Sequence, residues 1–276
     1  MPRNAEQRQE LERRVAAIQG WYHAIDLGDG VVTPGPFCMA EYVREYELPD
    51  DMSGMRALDV GCGNGFFALD LEKRGADEVV AVDVPSWTAK DWSPAYARDW
   101  VATRSAAERD AIDQRSLRAA FELAVGAAGQ GRVRREEVSI YDLDPDRHGT
   151  FDLVLCASML MHVRDPVLAL HRMRAVCRDD GVLVISISSP PNLGDADGEP
   201  LARFVGSAKQ CNFWQMSPAC LRDMLQCCGF APIGEGRRFV LADRPVEAVQ
   251  AALRAAPVGM SGAAGRWLVV DGWLER

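Results

Sequence analysis

The chemistry of this chain is concentrated in Ala57-Leu58-Asp59-Val60-Gly61-Cys62-Gly63-Asn64-Gly65-Phe66-Phe67. A short apolar run, interrupted only by Asp59, breaks into three glycines at alternate positions. It resumes as a helical pattern with Phe66, Phe67, Leu69 and Leu71 apolar and Gly75 as a stop. Glycines in such a bend remove Cβ atoms, so a ligand can lie on bare backbone N–H groups beside a helix N-terminus. A dinucleotide fingerprint would place its third glycine three residues after the second. That position is Phe66. Asp59, two residues before Gly61, suits a ligand with a positive charge better than a pyrophosphate. A second acid, Asp83, closes the apolar run 78–84 at roughly the spacing at which such folds hold a ribose diol. His162, in a loop after an apolar run, and His23, in a turn-rich segment, have the near-neutral pKa that suits a general base. A histidine that only orders its loop by bonding backbone is the alternative for His162.

These residues need a scaffold, and the pattern supplies one. Strand 55–60, the glycine bend, helix 65–74 and strand 78–83 form a βαβ start. A third strand is expected over 137–143 and a fourth over 151–156, the latter apolar at nearly every position, as in a parallel sheet covered on both faces. Asp165-Pro166 opens a helix as N-cap and N1, Gly181 ends it, and 182–186 is a fifth strand. The His162 loop therefore leaves the carboxyl end of the strand beside the first, the switch point where open α/β sheets bind ligands. Ser217-Pro218 opens a further helix, with strand-like runs at 230–234 and 237–242, a short helix after Pro245, a small-residue loop at 259–265 and a final apolar run at 267–270.

At the other end, 4–19 reads as an amphipathic helix and 37–49 as a second helix. Between them, 21–35 is a set of turns carrying Trp21, Tyr22 and His23, either a lid over the pocket or an edge packed on the sheet. The link between the second and third strands is long and aromatic, with Trp87, Trp92, Tyr96 and Trp100. Those rings either line an acceptor pocket or pack the insert on itself. The expected fold is an α/β, Rossmann-like, doubly wound, mainly parallel seven-stranded sheet. Residues 1–50 are expected to form a helical lid segment, and 51–276 the main domain, with an insert at 84–137 and a cap at 188–216.

The glycine triplet, the upstream acid and the second-strand acid in register resemble the signature of class I S-adenosylmethionine methyltransferases. The resemblance implies that S-adenosylmethionine lies against Gly61, Cys62 and Gly63, with Asp59 facing its methionine amine and Asp83 taking both ribose hydroxyls. It further implies cofactor contacts from Val84, Tyr141, Asp142, Ala157 and Ser158. Asp142 would accept from the adenine amine, with a helix-capping role as the alternative. Trp-Tyr-His-x-Ile-Asp-Leu-Gly-x-Gly-Val-Val-Thr-Pro-Gly from Trp21, Tyr141-Asp142-Leu143 and Leu-x-His-x-x-Asp-Pro around His162 resemble one subgroup. It is related to the tRNA wobble-uridine carboxymethyl-transferring enzymes and to small-molecule methyltransferases. Relatives commonly carry Tyr before the loop His; here it is Met161, which speaks against a carboxylated cofactor. The resemblance implies methyl transfer to an O or N atom of a small-molecule, secondary-metabolite-type acceptor, met by Trp21, Tyr22, Trp87, Trp92 and Met161, with His162 or His23 as base. A tRNA wobble-uridine-type modifying enzyme and a non-catalytic methyltransferase-fold partner protein are the alternatives.

A net charge of −9 argues against a nucleic-acid backbone as partner. Eight cysteines include no CxxC pair and the four histidines have no ligand spacing, so no metal site is expected. No run reaches the ~20 apolar residues of a membrane span, and the polar N-terminus has no signal-peptide core, so a cytoplasmic protein is expected. The amphipathic N-terminal helix could serve a homodimer contact.

Overall fold

A computed structural model describes residues 2–18, 20–115, 118–187, 193, 198–207, 211–231, 233, 237–242 and 269–275. The short helix after Pro245, the 259–265 loop, Trp267, Leu268 and much of the 188–216 cap lie outside the described residues.

Five parallel strands carry the site. They are β1 (Arg56–Val60), β2 (Glu78–Asp83), β3 (Val133–Glu137), β4 (Phe151–Ala157) and β5 (Cys177–Ile187), in the order β3-β2-β1-β4-β5. Beyond β5 the backbone of Val269–Glu275 and then of Arg237–Ala242 continues the ladder, also in parallel. Alternation sorts the side chains. Leu58, Val60, Val80, Val82, Val154 and Cys156 point to one face. There they meet Leu170 and Met173 of the helix Pro166–Val176 and Leu221 and Leu225 of the helix Pro218–Cys227. Ala57, Val79, Ala81, Leu153 and Leu155 point to the other, under Phe67 and Leu71 of the helix Phe66–Lys73 and under Phe121. Asp59 falls on this second face by the same alternation. The chain order reverses between β1 and β4, which makes a switch point at their carboxyl ends.

The third strand is earlier than expected. Val133–Glu137 pairs with β2, Val79 opposite Val133 and Asp83 opposite Glu137. Its charges hid it, because an edge strand tolerates them: Arg134 pairs with Glu78 and Glu136, and Arg135 with Glu137. The insert between β2 and β3 therefore spans 84–132 and holds α-helices Pro94–Ala102, Ala106–Arg115 and Arg118–Ala128. The expected helix over 37–49 is instead two 3-10 turns, Met39–Glu41 and Val43–Tyr46, and Glu47 is left-handed (φ 44°). Phe37, Met39, Tyr46 and Leu48 are buried at spacings that no single helical stripe provides. Near 230–234 the described residues Phe230, Ala231 and Ile233 form no strand.

The N-terminal helix Ala5–Ala17 starts on an Asn4/Gln7 capping box. Its Leu11 and Val15 bury with Trp21, Ile25 and Val31 against Leu69, Ala120 and Leu123. No described helix is long and apolar enough to cross a membrane.

Candidate active site at the carboxyl edge of the sheet

The bend after β1 hangs on the end of β2. Gly61 and Cys62 donate their backbone N–H groups to the Val82 carbonyl at 2.9 and 3.1 Å. The Gly63 N–H donates to Asp83 Oδ2 at 3.0 Å, and the Val84 N–H to Asp83 Oδ1 at 2.8 Å. Each carboxylate oxygen keeps a further lone pair for a ligand. Two glycines are needed for different reasons. Gly61 has φ +78°, and a Cβ there would stand 2.6 Å from Met159 Cγ. Gly63 has φ +50°, and a Cβ there would meet nothing within 4 Å. Gly61 is thus fixed by packing, whereas Gly63 faces open space, as a backbone cradle should.

Asp59 is 2 % exposed, and its Oδ2 has no hydrogen-bond partner. Burial, reinforced by the nearby Asp83 charge, pushes its pKa up to about 7; a hydrogen bond from the Ala68 backbone N–H works in the other direction. Ala68 lies in the first turn of the helix Phe66–Lys73, whose N-cap, Gly65, has no side chain to offer, so the strand acid stands in. Two carboxylates facing one bend repel each other. A cationic ligand relieves that cost, whereas a pyrophosphate would add to it. The orphaned oxygen, the open backbone at Gly63 and the spare lone pairs on Asp83 together fit a ligand with a cationic head and a diol.

The opposite wall is the loop after β4. Ser158 is left-handed at φ +52°, a strained state for a side-chain-bearing residue. It is held by Ser186 of β5, whose Oγ accepts from the Ser158 N–H at 2.8 Å and whose carbonyl accepts from it at 3.1 Å. Buried Tyr46 reaches the same Ser186 hydroxyl at 3.1 Å. A 3-10 turn follows and carries His162. Burial, then the Lys90 charge, lowers His162 to a pKa of about 4, while a hydrogen bond to the Asn212 side chain opposes the shift. His162 is therefore neutral near pH 7.

Asp91, in the insert, locks this wall. Its Oδ2 accepts from the Tyr141 hydroxyl and from the Arg164 N–H, both at 2.7 Å, and its Oδ1 from the Arg164 guanidinium at 2.7 Å. Tyr141 in turn accepts from the Asp165 N–H at 2.9 Å. Tyr141→Phe should cost about 1 kcal/mol, a Tm drop of roughly 2–4 °C for a domain of this size. Hydrogen exchange should also quicken in 84–132, and unchanged exchange there would show that the hub does not hold the insert.

The structure brings Asp59, the glycine bend, Asp83, Val84, Ala157, Ser158 and His162 to one edge. Asp142 is exposed in the 3-10 turn Ile140–Asp142 at the exit of β3, and it does not cap a helix; Ser139 and Asp144 do that nearby. Tyr141 spends its hydroxyl on Asp91 and Asp165. The Cys62 thiol is buried, and burial pushes its pKa up. Several residues expected to meet the acceptor are buried in side-chain packing. Trp21 is 6 % exposed and donates its indole N–H to the Val15 carbonyl. Trp92 is buried among Trp87, Tyr96 and Trp100, because a large ring on a short helical insert is that insert's own core. Met161 is buried, with its carbonyl accepting from the Phe213 N–H. His23 is enclosed by Tyr22, Phe66 and Phe67, with Nδ1 unpartnered. Tyr22 is exposed, and its N–H donates to Asn64 Oδ1 of the bend. Trp87 is partly buried beneath the Lys90 ammonium. Sequence reasoning missed Asp91, Asn64, Ser186 and Lys90. Only Lys90 left a trace: it is one of three lysines in the chain, set among tryptophans.

The sequence matches the family described as Methyltransferase domain over residues 39–233. The chain belongs to that methyltransferase family. A ubiquinone biosynthesis O-methyltransferase of Xanthomonas euvesicatoria pv. vesicatoria is 26 % identical over 177 residues, 64 % of this chain and 59 % of that protein. A magnesium-protoporphyrin O-methyltransferase of Rhodobacter capsulatus is 57 % identical over 37 residues, 13 % of this chain and 16 % of that one. The matched stretches thus span less than two thirds of these relatives. In fold, the methyltransferase domain resembles the N-terminal domain of EvdMO1 crystallised in the presence of SAH and D-fucose. The TM-score is 0.56 at 20 % identity, over 83 % of this chain and 90 % of that one.

Proposed function

We propose that this methyltransferase domain binds S-adenosylmethionine and transfers its methyl group to an oxygen of a small-molecule acceptor. The observation that carries the reading is the buried Asp59 carboxylate beside Asp83, its Oδ2 without a hydrogen-bond partner, beneath open backbone at Gly63. Asp59 would hold the amino group, Asp83 the ribose diol, and Asp142 the adenine edge. O-methyltransferases among the partial relatives support oxygen as the acceptor atom. The same reading takes the sheet to be seven-stranded and the segment around Tyr22, tied to the bend through Asn64, to be a lid.

When bound, the cofactor supplies a methyl carbon on a positively charged sulfur, ready for in-line displacement. The protein's task is chiefly to hold the acceptor about 3 Å away and aligned. His162, held by a hydrogen bond with the Asn212 side chain, is the residue that would take a hydroxyl proton. The strained Ser158 backbone, pinned by Ser186 and Tyr46, fixes where that ring sits.

Calorimetric titration with S-adenosylhomocysteine tests the reading: the wild-type protein should bind it, and absence of binding removes the proposal. The pH dependence gives a sharper signature. Asp59 pairs with a ligand ammonium only when ionised, so affinity should rise as pH increases through about 7. Asp59→Asn should flatten that profile. In the free protein the sign reverses. A raised carboxyl pKa favours the protonated folded form, so this group's contribution to stability is present below 3.8 and lost as pH rises through about 7.

A further inference from the structure

Lys90 is a cation of the insert that the site has not yet used. Its ammonium lies 3.9 Å above the Trp87 ring. Its carbonyl accepts from the Trp92 N–H at 2.8 Å, and the next residue is Asp91, the hub bonded to Arg164 and Tyr141. Its backbone is thus fixed on both sides, and the loop bearing His162 is tied to the same hub. The ammonium is partly buried and, among the described residues, enters no ion pair. Lys90 lies in the segment that leaves the end of β2 at Asp83, and Asp91 beside it is bonded to Arg164, two residues past His162, so that segment links the two functional walls. A second group nearby also lacks a partner: the buried Trp92 indole N–H, whose ring packs against Trp87. A partly buried ammonium set against a ring face alone gains from a full counter-charge. Elsewhere the chain uses arginine as its cation, 28 of 31 against three lysines, and lysine is the compact point charge suited to a single anionic oxygen.

We propose that Lys90 is a specificity-determining residue, making the site select an acceptor that presents an oxygen anion, either a carboxylate or an ionised hydroxyl. The inference rests on the methyl-transfer reading above and deepens it. Lys90 supplies the counter-charge that a neutral His162 does not, so an acceptor that is already acidic is held in its reactive form. A neutral aliphatic alcohol gains nothing from it.

The test uses the full chain saturated with S-adenosylhomocysteine and two probes. The first is 4-nitrophenol, whose phenolate absorbs visibly, added below its own pKa; the second is benzoate, followed by calorimetry. The wild-type protein should draw 4-nitrophenol into its phenolate form, or bind benzoate, and whichever it takes identifies the source of the oxyanion. Lys90→Met should weaken that binding about tenfold or more, Lys90→Arg should retain most of it, and both should still bind S-adenosylhomocysteine. Neither anion binding, or Lys90→Met matching wild type, would overturn the proposal. Failure of S-adenosylhomocysteine to bind the wild-type protein would remove the cofactor reading and this inference with it. Normal S-adenosylhomocysteine binding with both anions ignored removes only the role of Lys90.

Discussion

Asp83→Ala is expected to weaken S-adenosylhomocysteine binding by more than about a hundredfold, because two hydrogen bonds to a charged carboxylate contribute about 1.5–3 kcal/mol each. The residue does two jobs at once. Its oxygens hold the Gly63 and Val84 N–H groups, so the cradle and its gripping acid are one hydrogen-bonded unit. Its charge also raises Asp59. Removing it should therefore lower the Asp59 pKa and move the pH profile of residual binding downward. Asp83→Asn separates the effects: it keeps an acceptor for one backbone N–H but loses the charge. Affinity left within twofold or so of wild type in the alanine variant would mean the ligand sits elsewhere. Melting curves for both variants exclude simple unfolding, since Asp83 is only partly buried and water can satisfy the two freed N–H groups.

The second large effect is expected at Gly61. Gly61→Ala forces a side chain into left-handed backbone, at about 1–2 kcal/mol. It also drives a methyl into Met159 Cγ, close to that residue's own backbone. Met159 begins the loop carrying His162, so the clash cannot be relieved without moving one wall of the site. We expect lower stability, by a few degrees in Tm, and loss of cofactor binding beyond what the stability change explains. Gly63→Ala is the contrast. Its Cβ meets nothing, so strain alone should act on the fold, while the new methyl occupies the ligand's space. A Gly61→Ala protein that melts and binds like wild type would show that Met159 repacks freely.

What was legible in the sequence was legible for local reasons. An apolar run, an acid and alternate glycines have one common solution, strand-bend-helix, because glycine accepts left-handed φ at alternate turn positions without strain. β2 and the Pro166 helix were equally readable, the first from its unbroken apolar run, the second from an Asp-Pro start. β3 was not, because an edge strand satisfied by ion pairs looks like a polar linker. Nor was the fate of the aromatics. Composition cannot say whether Trp92 and Met161 line a cavity or fill a core, since both need apolar surroundings.

The sequence by itself determined the family signature, the face on which Asp59 lies and the loop that carries His162, all matters of spacing along one strand or turn. Tertiary structure alone decided that Asp91 ties Tyr141 to Arg164 and that Ser186 and Tyr46 hold a strained Ser158. Each of those joins residues dozens of positions apart. A hydrogen bond across such a distance depends on which strands become neighbours, and no local pattern encodes that.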